Sequence, residues 1–241
     1  MKRTLVIIGA ALALASCSIY HPQTVDIPLL EAPGETRVDA AAGVSTFLFM
    51  PTAVTVGATA THSFGRWLGG QVHANYGGEN YYLQAAPGAY WAPGDHFRME
   101  GYLGVGYGGA NYKSTASDST SSSYEYNGTF TLPYMQLNLG WRHVGPFEFA
   151  LGLKFGAFLP DYTYIKHNES GDAPSRYTTA NALFEPQLQV RVGSERVKYT
   201  LRMSVVGLSD LNNSNTNNSN SDGSHFIYSQ FTLSNGVVFS F

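Results

Sequence analysis

The chain has 241 residues, of which 13% are charged and 14% are aromatic, and its formal net charge is −3. Soluble domains average about 25% charged residues and disordered chains are poor in aromatic residues, so this composition fits neither class. It also lacks the basic excess of nucleic-acid-binding proteins and, beyond the N-terminus, the roughly 20 consecutive apolar residues of a membrane-spanning helix, so we expect no nucleic-acid partner.

The N-terminus has the pattern of a secretory signal, in which a short basic region precedes an apolar run, here over residues 5–15. That run ends in a motif that resembles the lipobox of bacterial lipoproteins: Leu14-Ala15-Ser16-Cys17. The resemblance implies that residues 1–16 are removed, that Cys17 is acylated, and that the lipoprotein-processing machinery is a partner. Cys17 is the only cysteine of the chain, so no intramolecular disulfide accounts for it. An ordinary signal peptide with an incidental cysteine is the alternative.

Residues 17–35 contain three prolines and show no sustained alternation, which predicts an extended, lipidated tether. Several acyl chains would hold such a tether stably among outer-membrane lipids. Surface-exported lipoproteins of some Gram-negative lineages carry acidic residues directly after the cysteine. No acidic residue follows Cys17 directly, so we expect the tether to be periplasmic.

From Thr36 onward, apolar and polar residues alternate, which places the apolar ones on one face of a strand and would scatter them around a helix. The odd positions of residues 147–159, for example, carry apolar residues throughout. The pattern predicts ten strands, at residues 36–49, 52–63, 67–77, 80–92, 97–113, 124–143, 147–164, 180–193, 197–210 and 226–241. Most of them reach the roughly 9 to 11 residues that a tilted strand needs to cross a bilayer.

The connections between these strands alternate in length. Those after even-numbered strands are short, whereas those after the fifth, seventh and ninth are long and polar, at residues 114–123, 165–179 and 211–225. Outer-membrane barrels have short periplasmic turns and long extracellular loops, and a soluble sandwich has no reason to sort its loops in this way. Trp67, Trp91 and Trp141 adjoin short turns, as in an aromatic girdle. We therefore predict an all-β protein, a closed antiparallel up-and-down transmembrane β-barrel of about ten strands over residues 36–241.

The C-terminal residues resemble the assembly signal of outer-membrane barrels, through Gly236, Phe239 and Phe241. By this resemblance the barrel-assembly machinery reads the last strand, which then pairs with the first. Closure is required because an open strand edge cannot stay unpaired in hydrocarbon. The whole domain resembles small barrels of the OmpA/OmpX or opacity type, enlarged by one hairpin, and residues 27–35 resemble barrel lipoproteins of Bacteroidota. The resemblance implies a bacterial outer-membrane location with the long loops outside.

The inward positions of the predicted barrel carry most ionisable side chains. We expect a charge network in the lumen formed by Arg37, Asp39, Arg98, Glu100, Arg142, Glu148, Lys154, Glu185, Arg191, Lys198 and Arg202. Seven of these residues are cations and four are anions. Barrels of about eight strands are filled by side chains and porin-sized barrels are open, so ten strands predict a narrow or plugged lumen. A structural or surface-interaction protein is the favoured interpretation, and a narrow, anion-preferring diffusion channel is the alternative.

Catalysis and cofactor binding find little support in the sequence. A hydrolase at the outer rim would draw on Asp210, Asp222 and His225, or on Asp161 and His167, but no nucleophile, base and orienting group are visible as a set. The histidines show none of the spacings of metal sites. The Gly-rich stretch 101–109 lies within a predicted strand and opens no helix, which argues against nucleotide binding. We expect no enzyme activity, no cofactor and no metal.

Overall fold

A computed structural model of the chain describes residues 20–47, 50–77, 79–114, 123–168, 171–211 and 230–241. Its strands are β1 (Thr36–Phe47), β2 (Met50–Ser63), β3 (Leu68–Tyr76), β4 (Asn80–Trp91), β5 (Phe97–Ser114), β6 (Ser123–Val144), β7 (Phe147–Asn168), β8 (Gly171–Tyr177), β9 (Asn181–Gly193), β10 (Val197–Val205), β11 (Gly207–Asp210) and β12 (Phe231–Ser240). Within these described ranges, no helix is both long enough and apolar enough to cross a membrane.

Ten of the described strands close into a barrel. β1 to β7 pair in chain order, β7 pairs with β9, β9 with β10 and β10 with β12, and every pairing is antiparallel. β12 returns to β1, with Val237 opposite Ala40, so no edge of the cylinder is left open. The prediction of a closed, antiparallel, up-and-down transmembrane barrel of about ten strands is confirmed.

The two ends of the barrel differ. The turn end holds the connections at residues 64–67, 92–96, 145–146 and 194–196, together with the start of β1 and the C-terminus. The loop end holds the connections from β5 to β6, from β7 to β9 and from β11 to β12. β5, β6 and β7 have 18, 22 and 22 residues, so they project beyond the shorter strands at the loop end.

Two stretches fold differently from the prediction. The loop predicted at residues 165–179 is wrong, because this stretch completes β7 and forms β8, which pairs with it. The hairpin stands at the projecting end of the sheet, beyond the apolar band, where a strand needs no apolar alternation. The predicted strand 197–210 is interrupted at Val206, which is buried and whose amide donates to the carbonyl of Gln230.

The outward face of the barrel is apolar. Phe149, Leu188 and Leu201 are typical of it, and each exposes 42–49% of its surface. A row of exposed tryptophans lies near the turn end: Trp67, Trp91 and Trp141. Among the described outward strand positions, none between this row and the projecting ends of β5 to β8 carries Asp, Glu, Lys or Arg. This is the surface that a hydrocarbon layer requires.

The N-terminal segment occupies the lumen. Residues 20–30, here called the plug segment, are all buried. Leu30 lies at the turn end, where its amide donates to Glu100 at 2.6 Å, and Tyr20 lies in the loop half, between the rings of Phe130 and Phe158. This corrects, for residues 20–30, the expectation of an extended periplasmic tether at 17–35. The segment runs through the barrel because inward side chains of the wall bind its one carboxylate, Asp26, and its backbone.

Candidate functional site

All eleven residues of the predicted charge network lie inside the barrel, and none is more than 7% exposed. They come from six strands: Arg37 and Asp39 from β1, Arg98 and Glu100 from β5, Arg142 from β6, Glu148 and Lys154 from β7, Glu185 and Arg191 from β9, and Lys198 and Arg202 from β10. Alternate residues of a strand point to the same face, so the period of two directs the whole set into the lumen.

Asp26 of the plug segment lies at the centre of this network. Its Oδ1 is 2.8 Å from Nη2 of Arg191 and 3.0 Å from Nη2 of Arg202. Arg191 also donates to Glu148 on β7 at 2.7 Å, and Arg202 donates to Asp39 on β1 at 2.9 Å. All five side chains are at most 2% exposed. Buried charges need such partners, and one carboxylate thereby joins the N-terminal segment to β9 and β10.

A second cluster lies at the turn end. Arg142 donates to Glu35 at 2.7 Å and to Glu148 at 3.2 Å, and Arg98 donates to Glu31 at 2.7 Å. Glu31 stands outside the strands. Partial burial raises the pKa of Glu31, but the charge of Arg142 and the hydrogen bond from Arg98 outweigh burial, and the net pKa is lowered. Glu31 is therefore ionised at neutral pH and holds the segment to the mouth of the barrel.

The N-terminal residues balance the charge of the wall. The seven cations and four anions of the predicted network leave an excess of three positive charges. Asp26, Glu31 and Glu35 supply three carboxylates, each paired with arginines of the wall. Residues 18–35 contain no Lys or Arg. Within this set the two signs are therefore equal, which limits the cost of burying so many charges.

Wall amides bind the backbone of the plug segment. Gln189 donates to the carbonyl of Ile27 at 3.0 Å, and its Oε1 accepts from the Ile27 amide at 3.1 Å. Gln187 donates to the carbonyl of Val25 at 2.6 Å. Gln71 donates to the carbonyl of Asp26 at 2.7 Å. Buried backbone groups need hydrogen-bond partners. These side chains supply the hydrogen bonds that a neighbouring strand would otherwise form with the segment.

Aromatic and apolar side chains fill the loop half of the lumen. The Tyr20 ring packs edge-on against Phe130 and Phe158, with centroids 5.6 and 5.3 Å apart. Its hydroxyl donates to Glu185 at 2.7 Å, and Glu185 also pairs with Lys154 at 3.7 Å. The same buried cluster includes Tyr82, Tyr102, Leu132, Tyr134, Tyr162, Leu183 and Val206. The plug segment therefore ends within a packed aromatic layer.

Three of the five candidate catalytic residues lie in the part of the chain that the structure describes, on two different strands. Asp161 lies on the outward side of β7 and accepts two hydrogen bonds from Arg176 of β8, both at 2.8 Å. Asp210 belongs to β11, and His167 lies near the end of β7. Within the described residues, no three His, Cys, Asp or Glu side chains converge as a metal site. Two further candidates lie outside these residues: Asp222 and His225.

The C-terminal residues lie at the seam that closes the barrel. Thr36 and Phe241 exchange backbone hydrogen bonds of 2.9 and 3.1 Å. A Cβ on Gly236 would lie 2.4 Å from the carbonyl oxygen of Ala40, so only glycine allows β12 to approach β1 this closely. Phe239 faces outward. Recognition of these residues by the assembly machinery stays a prediction, as does acylation of Cys17, which lies outside the described residues.

Sequence reasoning missed the residues through which the plug is held. They are the three N-terminal carboxylates and the wall amides: Asp26, Glu31, Glu35, Gln71, Gln187 and Gln189. One signal for them was available. An inward excess of three cations stood beside a proline-containing stretch with three acids and no base. Because charges in a closed lumen must be balanced, the cation excess could have predicted that this acidic stretch lies inside the barrel.

Comparison with known proteins bears on the fold. No family model matches the sequence, and no curated protein is similar enough to count as a match. Among solved structures, the outer membrane protease OmpT from Escherichia coli has 9% identity and a TM-score of 0.57, covering 86% of this chain and 94% of that one. The KdgM porin has 10% identity and a TM-score of 0.41, covering 85% and 99%. Neisserial surface protein A has 11% identity and a TM-score of 0.27, covering 86% and 96%. Identities this low show the fold alone, and that fold is the β-barrel of outer-membrane proteins.

Proposed function

We propose that this chain is an outer-membrane β-barrel lipoprotein, anchored at Cys17, whose lumen is closed by its own N-terminal segment. Its role is structural or surface interaction, without catalysis. The observation that carries the proposal is the burial of residues 20–30 along the lumen. A diffusion channel needs an open path there, and this path is occupied by the chain itself.

The contacts of the plug segment support a lumen that is closed at rest. Removing one partner of a buried ion pair costs about 3–5 kcal/mol, because the other charge is left uncompensated. Withdrawal of the segment would unpair Asp26 from both Arg191 and Arg202. It would also leave the inward glutamines without the backbone groups that they bind. A constitutively open, anion-preferring channel is therefore the less supported alternative.

The projecting strands support a role at the surface. Beyond the apolar band, the outward positions of β5, β6 and β7 become polar, and the exposed residues Asn111 and Asn127 lie opposite each other in the register. Asp161 and Arg176 form an exposed ion pair on the same projection. Such a polar surface suits contact with water-soluble molecules or with lipid headgroups at the loop end.

Conductance in a planar lipid bilayer tests the closed lumen. We expect the full-length protein, shown to be folded by heat-modifiable migration on a gel, to produce no stable open steps. Reproducible steps from the wild type would contradict closure and restore the channel alternative. Deletion of Phe241 should abolish the heat-modifiable form, whereas a soluble periplasmic product from the intact chain would refute the outer-membrane assignment.

Metabolic labelling with palmitate tests the anchor. We expect the wild type to incorporate label and the Cys17→Ala variant to incorporate none. The Ser18→Ala variant is a matched control, because it changes the neighbouring residue and leaves the acceptor thiol in place. Equal labelling of all three chains would remove Cys17 as the acylated residue.

A further inference from the structure

The plug segment occupies a passage that runs through the charged half of the barrel. A polypeptide chain without side-by-side partners takes up a cross-section of roughly 4.8 by 10 Å, the spacings between strands and between packed sheets. Ten strands form a wall wider than the side-chain-filled barrels of about eight strands. Withdrawal of the segment would therefore leave a path of this size through the charged half and, where the Tyr20 ring leaves the aromatic layer, a gap beside Phe130 and Phe158.

The walls of that path carry a positive excess. Release of the chain up to Pro33 removes two carboxylates, Asp26 and Glu31, and the remaining network with Glu35 has seven cations and five anions. Arg37, Arg191 and Arg202 are each 1% exposed and surround the position of Asp26. A cleft lined by one sign of charge and enclosed by low-dielectric walls concentrates ions of the opposite sign. Small anions are the solutes that this path would accept.

The segment is held in the lumen only by non-covalent contacts, and its connection to the barrel is exposed. Ala32, Pro33 and Gly34 lie at the turn end in contact with solvent, between the buried segment and β1. The barrel sheet does not include residues 21–30, so its closure from β12 to β1 does not depend on them. Once that connection is cut, the segment can therefore leave through the loop half without breaking a strand pairing of the cylinder.

We infer that residues 20–30 form a displaceable plug over an anion-selective pathway. This inference rests on the closed lumen of the proposed function and adds a second state to it. In the plugged state Asp26 supplies the counter-charge of Arg191 and Arg202. In the unplugged state mobile anions, such as chloride, supply that charge and pass along the wall.

Cutting an engineered protease site after folding is complete tests the inference, because no truncated chain has to fold. The recognition sequence of a site-specific protease is placed between Pro33 and Gly34 in the full chain. The folded protein is cut and washed in moderate urea, and release of the N-terminal fragment is followed by mass spectrometry. The same sequence placed between Glu195 and Arg196 is the matched control, because a cut at that turn frees no plug.

We expect the cut and washed protein to keep its heat-modifiable form and to conduct in planar bilayers, while the uncut protein and the control stay silent. In a potassium chloride gradient the reversal potential should move toward that of chloride. Arg191→Gln in the same background should reduce that shift, and Arg176→Gln, whose side chain is exposed on β8, should leave it unchanged. A folded barrel that stays silent after release, conducts with cation preference, or retains the cut fragment would overturn the inference. Open steps from the uncut wild type would instead overturn the closed lumen itself.

Discussion

Replacing Asp26 by Asn removes the central charge of the lumen while keeping the shape of the side chain. The loss leaves two buried guanidinium groups with one partner fewer each. Arg191 keeps Glu148 at 2.7 Å, and Arg202 keeps Asp39 at 2.9 Å. Removing one partner of a buried ion pair costs about 3–5 kcal/mol. Because both arginines keep a carboxylate, we expect the lower end, a loss of about 3 kcal/mol in the free energy of unfolding.

Urea titration in lipid vesicles, followed by tryptophan fluorescence, measures this loss. The three tryptophans lie on the lipid-facing surface near the turn end, so their emission should report release from the membrane. Asp161→Asn is the matched control, since it makes the same change in an ion pair whose members are 55% and 70% exposed. Exposed pairs contribute little to stability, so the midpoint of the control should stay close to that of the wild type.

A double-mutant cycle with Arg202→Gln separates direct pairing from a general effect. Residues in one ion-pair network show coupling of about 0.5–3 kcal/mol, so the double variant should lose less stability than the two single losses combined. Strict additivity, or an Asp26→Asn midpoint equal to that of Asp161→Asn, would refute the placement of Asp26 in the lumen.

Three further predictions concern the lipid face, the turn end and the path of the N-terminus. Met135→Lys, on the apolar band, should cost about 2–4 kcal/mol in vesicle unfolding, whereas Thr163→Lys on the projection should cost far less. Because the pKa of Glu31 is lowered in the folded state, its stabilisation should be complete above the ordinary Glu pKa of about 4.3 and vanish as pH falls through the lower folded value. Glu31→Gln should therefore differ from the wild type in urea midpoint at pH 7 and match it in strong acid; a constant difference would contradict this. An epitope placed directly after Cys17 should bind antibody on intact cells, since Tyr20 lies in the loop half and three residues reach only about 10 Å; an epitope at Glu195 should not bind, and the reverse pattern would refute the path.

The barrel was predictable because its strongest constraint is local. A strand that faces lipid on one side and a polar lumen on the other must alternate at a period of two, and this period is visible at Phe147 to Leu159 without any knowledge of partners. The inward direction of the eleven charged residues follows from the same alternation. The hairpin of β7 and β8 was missed because it lies beyond the apolar band, where both faces are polar.

The plug was not predictable from local pattern, because a segment without regular structure carries no period that says where it lies. Its position depends on pairs that are 162 to 176 residues apart, such as Ile27 with Gln189 and Asp26 with Arg202. Only a property of the whole chain, the balance of inward charge, pointed to it. What fills the interior of a closed barrel is thus harder to predict from the sequence than which residues form its outer surface.

The course of residues 20–30 inside a closed ring also constrains the order in which the molecule is made. Passing the segment through a finished cylinder would require its N-terminal end to traverse the lumen. With Cys17 acylated as proposed, that end is too bulky for a passage of roughly 5 by 10 Å. The sheet must then wrap around the segment, with the last strand joining the first only after Asp26 is in place. Asp39 lies on β1 at this seam, and Arg202 lies on β10 beside β12. Arg202 donates both to Asp39 and to Asp26 of the segment. The N-terminal segment would thereby act as a template that is in place before the barrel closes and that determines when β12 can pair with β1.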